Sequence, residues 1–403
     1  MYRRLVLLFL ALCHVNHLAI AARKAPSTAT APKAAQPSVP TLVIGYLHQP
    51  AAEPPLRPFY DPEPNLDGQQ GARLGITDNN TTGQFTQQQF TLRELSVPVD
   101  GHPTEAFKTL LSEGIRHIIV DLPTAPLLDI ASLPEARETL LLNVSNDDDR
   151  LRGPDCKPPL FHLFPSQAMR ADALAQYLGK KRWQHWLILK GAAAHDQTDL
   201  DALRKSAKKF GHTVVAEQAW THGFEDRRTP ESEVPVLTQQ DAHDVVVVID
   251  EQRQFGDLVP YRTWLPRPVV GSAGLRPTGW DRTHEAWGAL QLQNRFRDLS
   301  GRSMTEKDYS AWLAVRAIGE AATRTRSFDL AQIRSFMLSE AFSLAGFKGV
   351  PLSFRTWDHQ LRQPILLASD RSLVAIAPIE GYLHPRNELD TLGTDAPESS
   401  CKF

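Results

Sequence analysis

Polar side chains recur in this chain immediately after short apolar runs, and that placement is the strongest chemical pattern it offers. His48 follows the run from Thr41 to Tyr46. Asp121 and Thr124 follow His117 to Val120, and Asn143 and Asn146 close the run from Leu140 to Val144. Farther along, Asp250 and Glu251 follow four consecutive valines, and Ser272 follows Val269 and Val270. In open α/β sheets the carboxyl ends of the strands are where ligands bind. The same residues can also cap the helices that follow, which is the ordinary use of Asp, Asn and Ser there. Their chemistry is that of binding, with hydroxyls, amides and carboxylates able to hold a small polar molecule. Trp280, in a stretch that also holds Tyr261, Trp264 and Trp287, could stack on such a ligand or pack in the core.

Oxygen donors are dense at two further places, Asp78-Asn79-Asn80-Thr81-Thr82 and Asn146-Asp147-Asp148-Asp149. A hard cation would be held if four or more such groups converged. Asp121, Asp250 and Glu251 are the candidate metal ligands. Neither cluster has the alternating carboxylates, central Gly and terminal Glu of an EF-hand. Asp147 to Asp149 also reads as a solvated loop, and Asp78 to Thr82 as a helix end before a turn at Gly83. Catalytic patterns fail: no Walker loop, G-x-S-x-G elbow or H-E-x-x-H occurs. No enzymatic activity and no resident cofactor are expected, although a calcium or lanthanide ion could be the ligand.

The elements that must position these residues alternate. Strands are predicted at Thr41–Tyr46, Phe90–Val97, His117–Val120, Leu140–Val144, Leu160–Phe164, Trp186–Leu189, Thr213–Glu217, Val245–Ile249 and Val269–Val270. Helices are predicted at Thr104–Ser112, Ala168–Leu178 and Asp199–Phe210, then as longer stretches at Glu285–Phe296 and Glu306–Thr323. Pro50 to Gly71 reads as a Pro-rich loop, and 351–380 as short β segments joined by turns. Continuous apolar strands between amphipathic helices indicate parallel sheets covered on both faces. The expected division puts residues 41–160 with about 280–345 in one lobe and about 161–279 with 346–385 in the other, followed by a tail at 386–403.

Residues 1–22 have the anatomy of a secretory signal peptide: Arg3 and Arg4, an apolar run from Leu5 to Leu12, then Ala19-Ile20-Ala21. Leu12 before Cys13 is the wrong residue for a lipoprotein signal, so no lipid is expected on Cys13. Residues 23–40, rich in Ala, Pro, Ser, Thr and Lys, read as a disordered linker. Removing the signal leaves Cys156 and Cys401, and an oxidising compartment favours a disulfide between them. The 44 basic and 46 acidic side chains exclude a nucleic-acid binder by balance. A chain of 403 residues suits two lobes rather than one core.

Several words of the sequence carry a family resemblance. They are Leu151-Arg152-Gly153-Pro154-Asp155-Cys156, Asp172-Ala173-Leu174-Ala175-Gln176-Tyr177-Leu178, Pro260-Tyr261-Arg262-Thr263-Trp264, Gly271-Ser272-Ala273-Gly274-Leu275, Lys307-Asp308-Tyr309-Ser310-Ala311-Trp312 and the tail Glu388-Leu389-Asp390-Thr391-Leu392-Gly393. Together they resemble the periplasmic substrate-binding proteins encoded beside pyrroloquinoline quinone (PQQ)-dependent alcohol dehydrogenase systems, a divergent branch of the branched-chain amino acid binding family. The resemblance implies the type I periplasmic binding fold: two Rossmann-like lobes with parallel sheets, joined by a multi-strand hinge. It implies a periplasmic monomer that is not an integral membrane protein, with an ABC permease and ATPase as partners. A PQQ-dependent dehydrogenase is a second implied partner, either through the importer or as the docking site of a non-transporting accessory protein. Matched by order, positions 121–124 and 143–146 of the first lobe and 250, 251 and 272 of the second correspond to the parent family's ligand contacts. Asp121 falls where a neutral carboxylate clamp is expected, which favours a cation or a polyol over an amino acid. Relatives of this branch are associated with lanthanide uptake, so a lanthanide and a small alcohol-derived molecule are the two expected ligands.

Overall fold

The computed structural model describes residues 39–50, 66–222 and 228–403. The expected signal peptide and nearly all of the expected linker lie outside the described residues.

The first lobe opens with β1 (Thr41–His48), α1 (Gln69–Thr86), β2 (Gln89–Ser96), α2 (Pro103–Ser112), β3 (His117–Asp121), α3 (Thr124–Ala131), β4 (Leu140–Asn143) and β5 (Leu160–His162). Its five strands lie in the order β2-β1-β3-β4-β5, all parallel. Strand β3 is buried along its whole length, and its side chains alternate between two cores. Ile119 points to the core beneath α1, while Ile118 and Val120 join Phe107, Leu110 and Leu127 of α2 and α3. That alternation is the period-2 consequence of a pleated strand with both faces covered.

The second lobe comprises α4 (Gln167–Lys181), β6 (His185–Lys190), α5 (Ala194–Phe210), β7 (Thr213–Ala219), α6 (Pro230–Leu237), β8 (Val245–Ile249), α7 (Val259–Arg262), β9 (Val269–Gly271) and β10 (Arg276–Thr278). Its parallel sheet runs β7-β6-β8-β9. The valine strand divides as a central strand should. Val245 and Val247 face the core under α4 and α5, and Val246 and Val248 face Trp220, Val234 and Phe255.

The chain then returns with α8 (Ala289–Ser300), α9 (Glu306–Thr325), α10 (Leu330–Met337), β11 (Leu344–Ala345), β12 (Pro351–Phe354) and β13 (Leu361–Arg362). Phe296, Trp312, Ile333, Leu344, Phe354 and Leu361 all belong to the first lobe's larger core. Finally β14 (Ile365–Ala368) and β15 (Leu373–Ala377) pair antiparallel and, with β10, extend the second lobe. Ile365, Leu367 and Ala377 sit in that lobe's core.

Three features differ from the sequence expectations. Strand β5 pairs with β4 and completes the first sheet, so the run at Leu160 does not open the second lobe. Residues 346–362 pack with the first lobe, and the last passage to the second lobe falls between Arg362 and Ile365. The third difference is α1. Asp78 to Thr82 lie inside it, and the side chains of Asp78, Asn79 and Asn80 dock the helix rather than form a helix end. Asp78 accepts a hydrogen bond from Trp312 Nε1 at 2.9 Å and pairs with Arg295. Asn79, buried, donates to the Val315 carbonyl at 2.8 Å. Asn80 exchanges two bonds with the Phe90 backbone, at 2.9 and 2.8 Å. Helix α1 lies against α9 almost without intervening side chains. A Cβ on Gly71 would fall 1.8 Å from the Asp308 carbonyl oxygen, and one on Gly75 would fall 2.7 Å from Val315.

Cys156 and Cys401 form a disulfide, with their Cα atoms 5.6 Å apart. Among the described residues no helix is long and apolar enough to cross a membrane.

Candidate functional site

The carboxyl ends of the two sheets border a cavity of about 390 Å³, within the usual range for small-molecule sites. Ser145 and Asp147 reach it from the turn after β4, Phe164 from the crossover, and Gln167, Arg170, Ala171 and Leu174 from α4. His195, Asp199 and Leu203 of α5 line the opposite wall, with Glu251 after β8, Gly271 and Ser272 at the end of β9, and Pro277 in β10.

Local sequence sets each of these positions. Asn143 ends β4 by folding its amide onto the next turn, donating to the Asn146 carbonyl at 2.7 Å and accepting from its N–H at 2.9 Å. Ser166 caps α4, accepting from the Met169 N–H at 3.2 Å, which aims the first turns of that helix at the cavity. Asp250 accepts the Phe255 and Gly256 N–H groups, each at 2.7 Å, and so shapes the turn after the valine strand. Asp196 at the start of α5 accepts the Glu251 N–H at 2.9 Å, fixing where Glu251 stands. The Asp250 N–H donates to Ser272 Oγ at 3.0 Å, so the ends of β8 and β9 are tied together.

A chain of charges crosses the cavity from lobe to lobe. Asp147 Oδ1 of the first lobe lies 2.9 Å from His195 Nε2 of the second, and His195 Nδ1 lies 3.4 Å from Asp199. Asp147 Oδ2 is 3.9 Å from Arg170, which also pairs with Glu306 of α9 at 3.0 Å. Burial works against a charged His195, but its hydrogen bonds to Asp147 and Asp199 and their charges raise it to about 11. Burial alone would raise the Asp147 carboxyl, yet the bond and charge of His195, with Arg170, hold it below its ordinary value. At neutral pH the pair is therefore an imidazolium and a carboxylate. Glu251 is shifted upward, first by desolvation and then by Asp196, Asp147 and Asp199 against the lowering effect of His195.

Of the residues singled out by position in the sequence, Glu251 and Ser272 line the cavity. His48 and Asp121 meet at 2.9 Å one layer behind it, where Asp121 also accepts from Tyr46 Oη at 3.3 Å and lies 3.7 Å from Lys307. Burial raises the Asp121 carboxyl, but Lys307, His48 and Ser145 beside it outweigh that and hold it below its ordinary value. Thr124 bonds Asn146 and Asp148 at 3.4 and 3.2 Å, supporting the β4 turn from outside. Asn143 and Asp250 serve their own turns, as described. Trp280 is buried and stacks on Tyr309 with ring centroids 4.2 Å apart; none of Tyr261, Trp264, Trp280 and Trp287 lines the cavity.

Asp147 to Asp149 are not a solvated loop. Asp147 holds the cross-lobe pair, Asp148 accepts the Arg150 N–H at 2.9 Å, and Asp149 accepts the Ala168 N–H at 3.1 Å. Burial pushes the Asp149 carboxyl up to about 6. Among the described residues no group of three or more His, Cys, Asp or Glu side chains is placed to hold a metal ion. Asp121, Asp250 and Glu251 accordingly do not form a cation cage. Reading strand ends misses Gln167, Arg170, His195 and Asp199, which stand on helices. One signal for the last two was available in the sequence: His195 and Asp199 are four apart, the spacing of neighbours on a helix face.

No family model matches the sequence, and no curated protein matches it. Solved structures do. The leucine-, isoleucine-, valine-, threonine- and alanine-binding protein of Brucella ovis, in its closed conformation, superposes with a TM-score of 0.66 at 15% identity, over 84% of this chain and 92% of that one. A branched-chain amino acid ABC transporter periplasmic ligand-binding protein of Burkholderia xenovorans gives 0.68 at 13% identity, over 89% and 99%. A solute-binding protein of an ABC transporter from R. palustris, in complex with benzoate, gives 0.63 at 11% identity, over 90% and 100%. This chain has the type I periplasmic binding protein fold: two α/β lobes with parallel sheets. Its structural neighbours include periplasmic binding proteins of branched-chain amino acid ABC transporters.

Proposed function

We propose that this chain is an exported binding protein that captures a small ligand between its lobes and delivers it to the permease and ATPase of an ABC importer. The observation that carries the reading is the cavity of about 390 Å³ walled by strand ends and helices of both lobes. Two lobes that share such a cavity can close on a molecule and present the closed form to a partner. The neighbours' fold and near-complete coverage support the same class. Under this reading the protein works in the periplasm as a monomer and catalyses nothing.

The link to PQQ-dependent alcohol oxidation rests on the sequence words quoted above. Of the two ligands that link suggests, the cavity favours a small alcohol-derived organic molecule over a lanthanide. Asp147 and Asp199 are already paired with His195, and Asp250 is committed to its own turn. A non-transporting accessory protein docked on a dehydrogenase would need no shared cavity, and the cavity argues against that alternative.

A thermal-shift screen of the mature protein tests the proposal. The panel should hold amino acids, amines, short alcohols, aldehydes and acids, PQQ, and calcium and lanthanum salts. One chemical class should give saturable stabilisation, because a ligand that binds only the folded state raises its melting temperature. No shift from any class, with a dehydrogenase co-purifying instead, would overturn the transport reading.

A further inference from the structure

The charges around the cavity are unequal in a way that selects a ligand. Its lining carries three carboxylates, Asp147, Asp199 and Glu251, and two cations, Arg170 and His195. Both cations are already compensated: His195 by Asp147 and Asp199, Arg170 by Glu306 and Asp147. Glu251 makes no ion pair among the described residues, and only its backbone N–H is engaged, by Asp196. A ligand entering here meets one uncompensated carboxylate and no uncompensated cation. A third carboxylate brought to Arg170 or His195 would be repelled by the acids already on them, in a site where low dielectric strengthens that repulsion.

A second observation points to a neutral acceptor. The Nε–H of Arg170 is buried and makes no hydrogen bond among the described residues. A buried donor left unpaired costs free energy until a ligand or water oxygen supplies the partner. Ser145 and Ser272 add hydroxyls on opposite walls, and Phe164, Leu174, Leu203 and Pro277 form apolar lining suited to a short hydrocarbon body.

Resting on the binding-protein reading above, we infer that the cavity takes a small primary amine whose oxygen functions are neutral, an amino alcohol being the simplest case, and rejects the matching amino acid. The ammonium pairs with Glu251, the neutral oxygen accepts from Arg170 Nε–H, and the hydrocarbon body lies on the apolar wall. Asp147 is the specificity-determining acid, since its charge stands where a ligand carboxylate would have to approach Arg170.

The test is calorimetric titration of the full mature chain with leucinol, leucine and 4-methylpentan-1-ol, which share a branched body and differ in their charged groups. Leucinol should bind at least tenfold tighter than either of the others. Glu251→Gln should weaken leucinol at least tenfold without lowering the melting temperature, because the Glu251 side chain makes no hydrogen bond or ion pair among the described residues and its charge is disfavoured where it stands. Asp147→Asn should narrow the gap between leucinol and leucine. Leucine binding as tightly as leucinol, or leucinol indifferent to Glu251→Gln, would overturn the inference. Saturable binding of a carboxylic acid or a lanthanum salt with none by amines would sink the amine class and leave the binding-protein reading standing. No binding by any member of the thermal-shift panel would sink both.

Discussion

His195 and Arg170 both reach from the second lobe to Asp147 of the first, and the protonation of His195 decides whether its own contact is an ion pair. Its folded value, about 11, lies above the ordinary histidine value of 6.5. A raised value means that the charged form stabilises the fold fully below the unfolded value and that this contribution disappears as pH rises through the folded one. Replacing His195 with Gln should cost about 1.5–3 kcal/mol near pH 6, the usual worth of a hydrogen bond to a charged group. Urea denaturation at several pH values should show that cost shrinking between pH 6.5 and 11. A cost that does not change with pH would mean that the pairing with Asp147 contributes nothing. The sequence made Glu251 and Ser272 legible, because both sit just past the end of an apolar strand. It hid Arg170 and His195 among ordinary polar helix residues, since which helix face looks into a cleft depends on how two lobes meet.

At the scale of elements, the closest joint is between α1 and α9, and it is built from small residues. Gly71 and Gly75 are four apart on α1, so one ridge of that helix carries no side chains where α9 crosses it. Gly71→Ala puts a carbon onto the Asp308 carbonyl oxygen, a backbone atom that cannot step aside. The variant should lose about 2–4 kcal/mol by urea denaturation, at or above the usual cost of overpacking. A loss under about 0.5 kcal/mol, the range of innocuous surface changes, would show that the helices can separate freely. This joint also explains why the helix escaped notice in the sequence. Its buried face carries a single Leu, Leu74, among Gly, Ala, Gln and Asn, so it lacks the apolar period by which α9 is recognised. The central strands of both parallel sheets were legible as continuous apolar runs, whereas β10, Arg-Pro-Thr, was not. Sheet membership was not legible, and β5 shows why, because nothing in Leu-Phe-His tells which neighbour it will pair with.

At the scale of the whole molecule, the tail joins what the hinge separates. Asp390 accepts from Arg355 and Arg362 beside the first lobe, at 3.0 and 2.8 Å. Two and three residues on, Leu392 packs in the second lobe's core and Gly393 donates its N–H to Asp172 of α4 at 2.8 Å. Lys209 of α5 adds bonds to the Thr391 and Gly393 carbonyls, at 3.1 and 3.0 Å. The tail then ends on Cys401, bonded to Cys156 of the first lobe. Reduction, or Cys401→Ser, should lower stability by up to about 5 kcal/mol, the chain-entropy bound for so long a loop. Both sheets should persist by circular dichroism, since Asp172, Lys209 and Arg355 still hold the tail. Loss of the far-ultraviolet signal at room temperature would mean that the bond, rather than the cores, maintains the lobes.

Ligand capture in the cavity between those lobes is tested directly by one titration. The compound that most stabilises the protein in the thermal-shift panel should be titrated calorimetrically into the parent chain and into a Glu251→Gln, Ser272→Ala double variant. One molecule should bind per parent chain, and the variant should lose about a hundredfold in affinity, equivalent to about 2.7 kcal/mol. Equal affinities in the two proteins would place the ligand elsewhere and contradict the account.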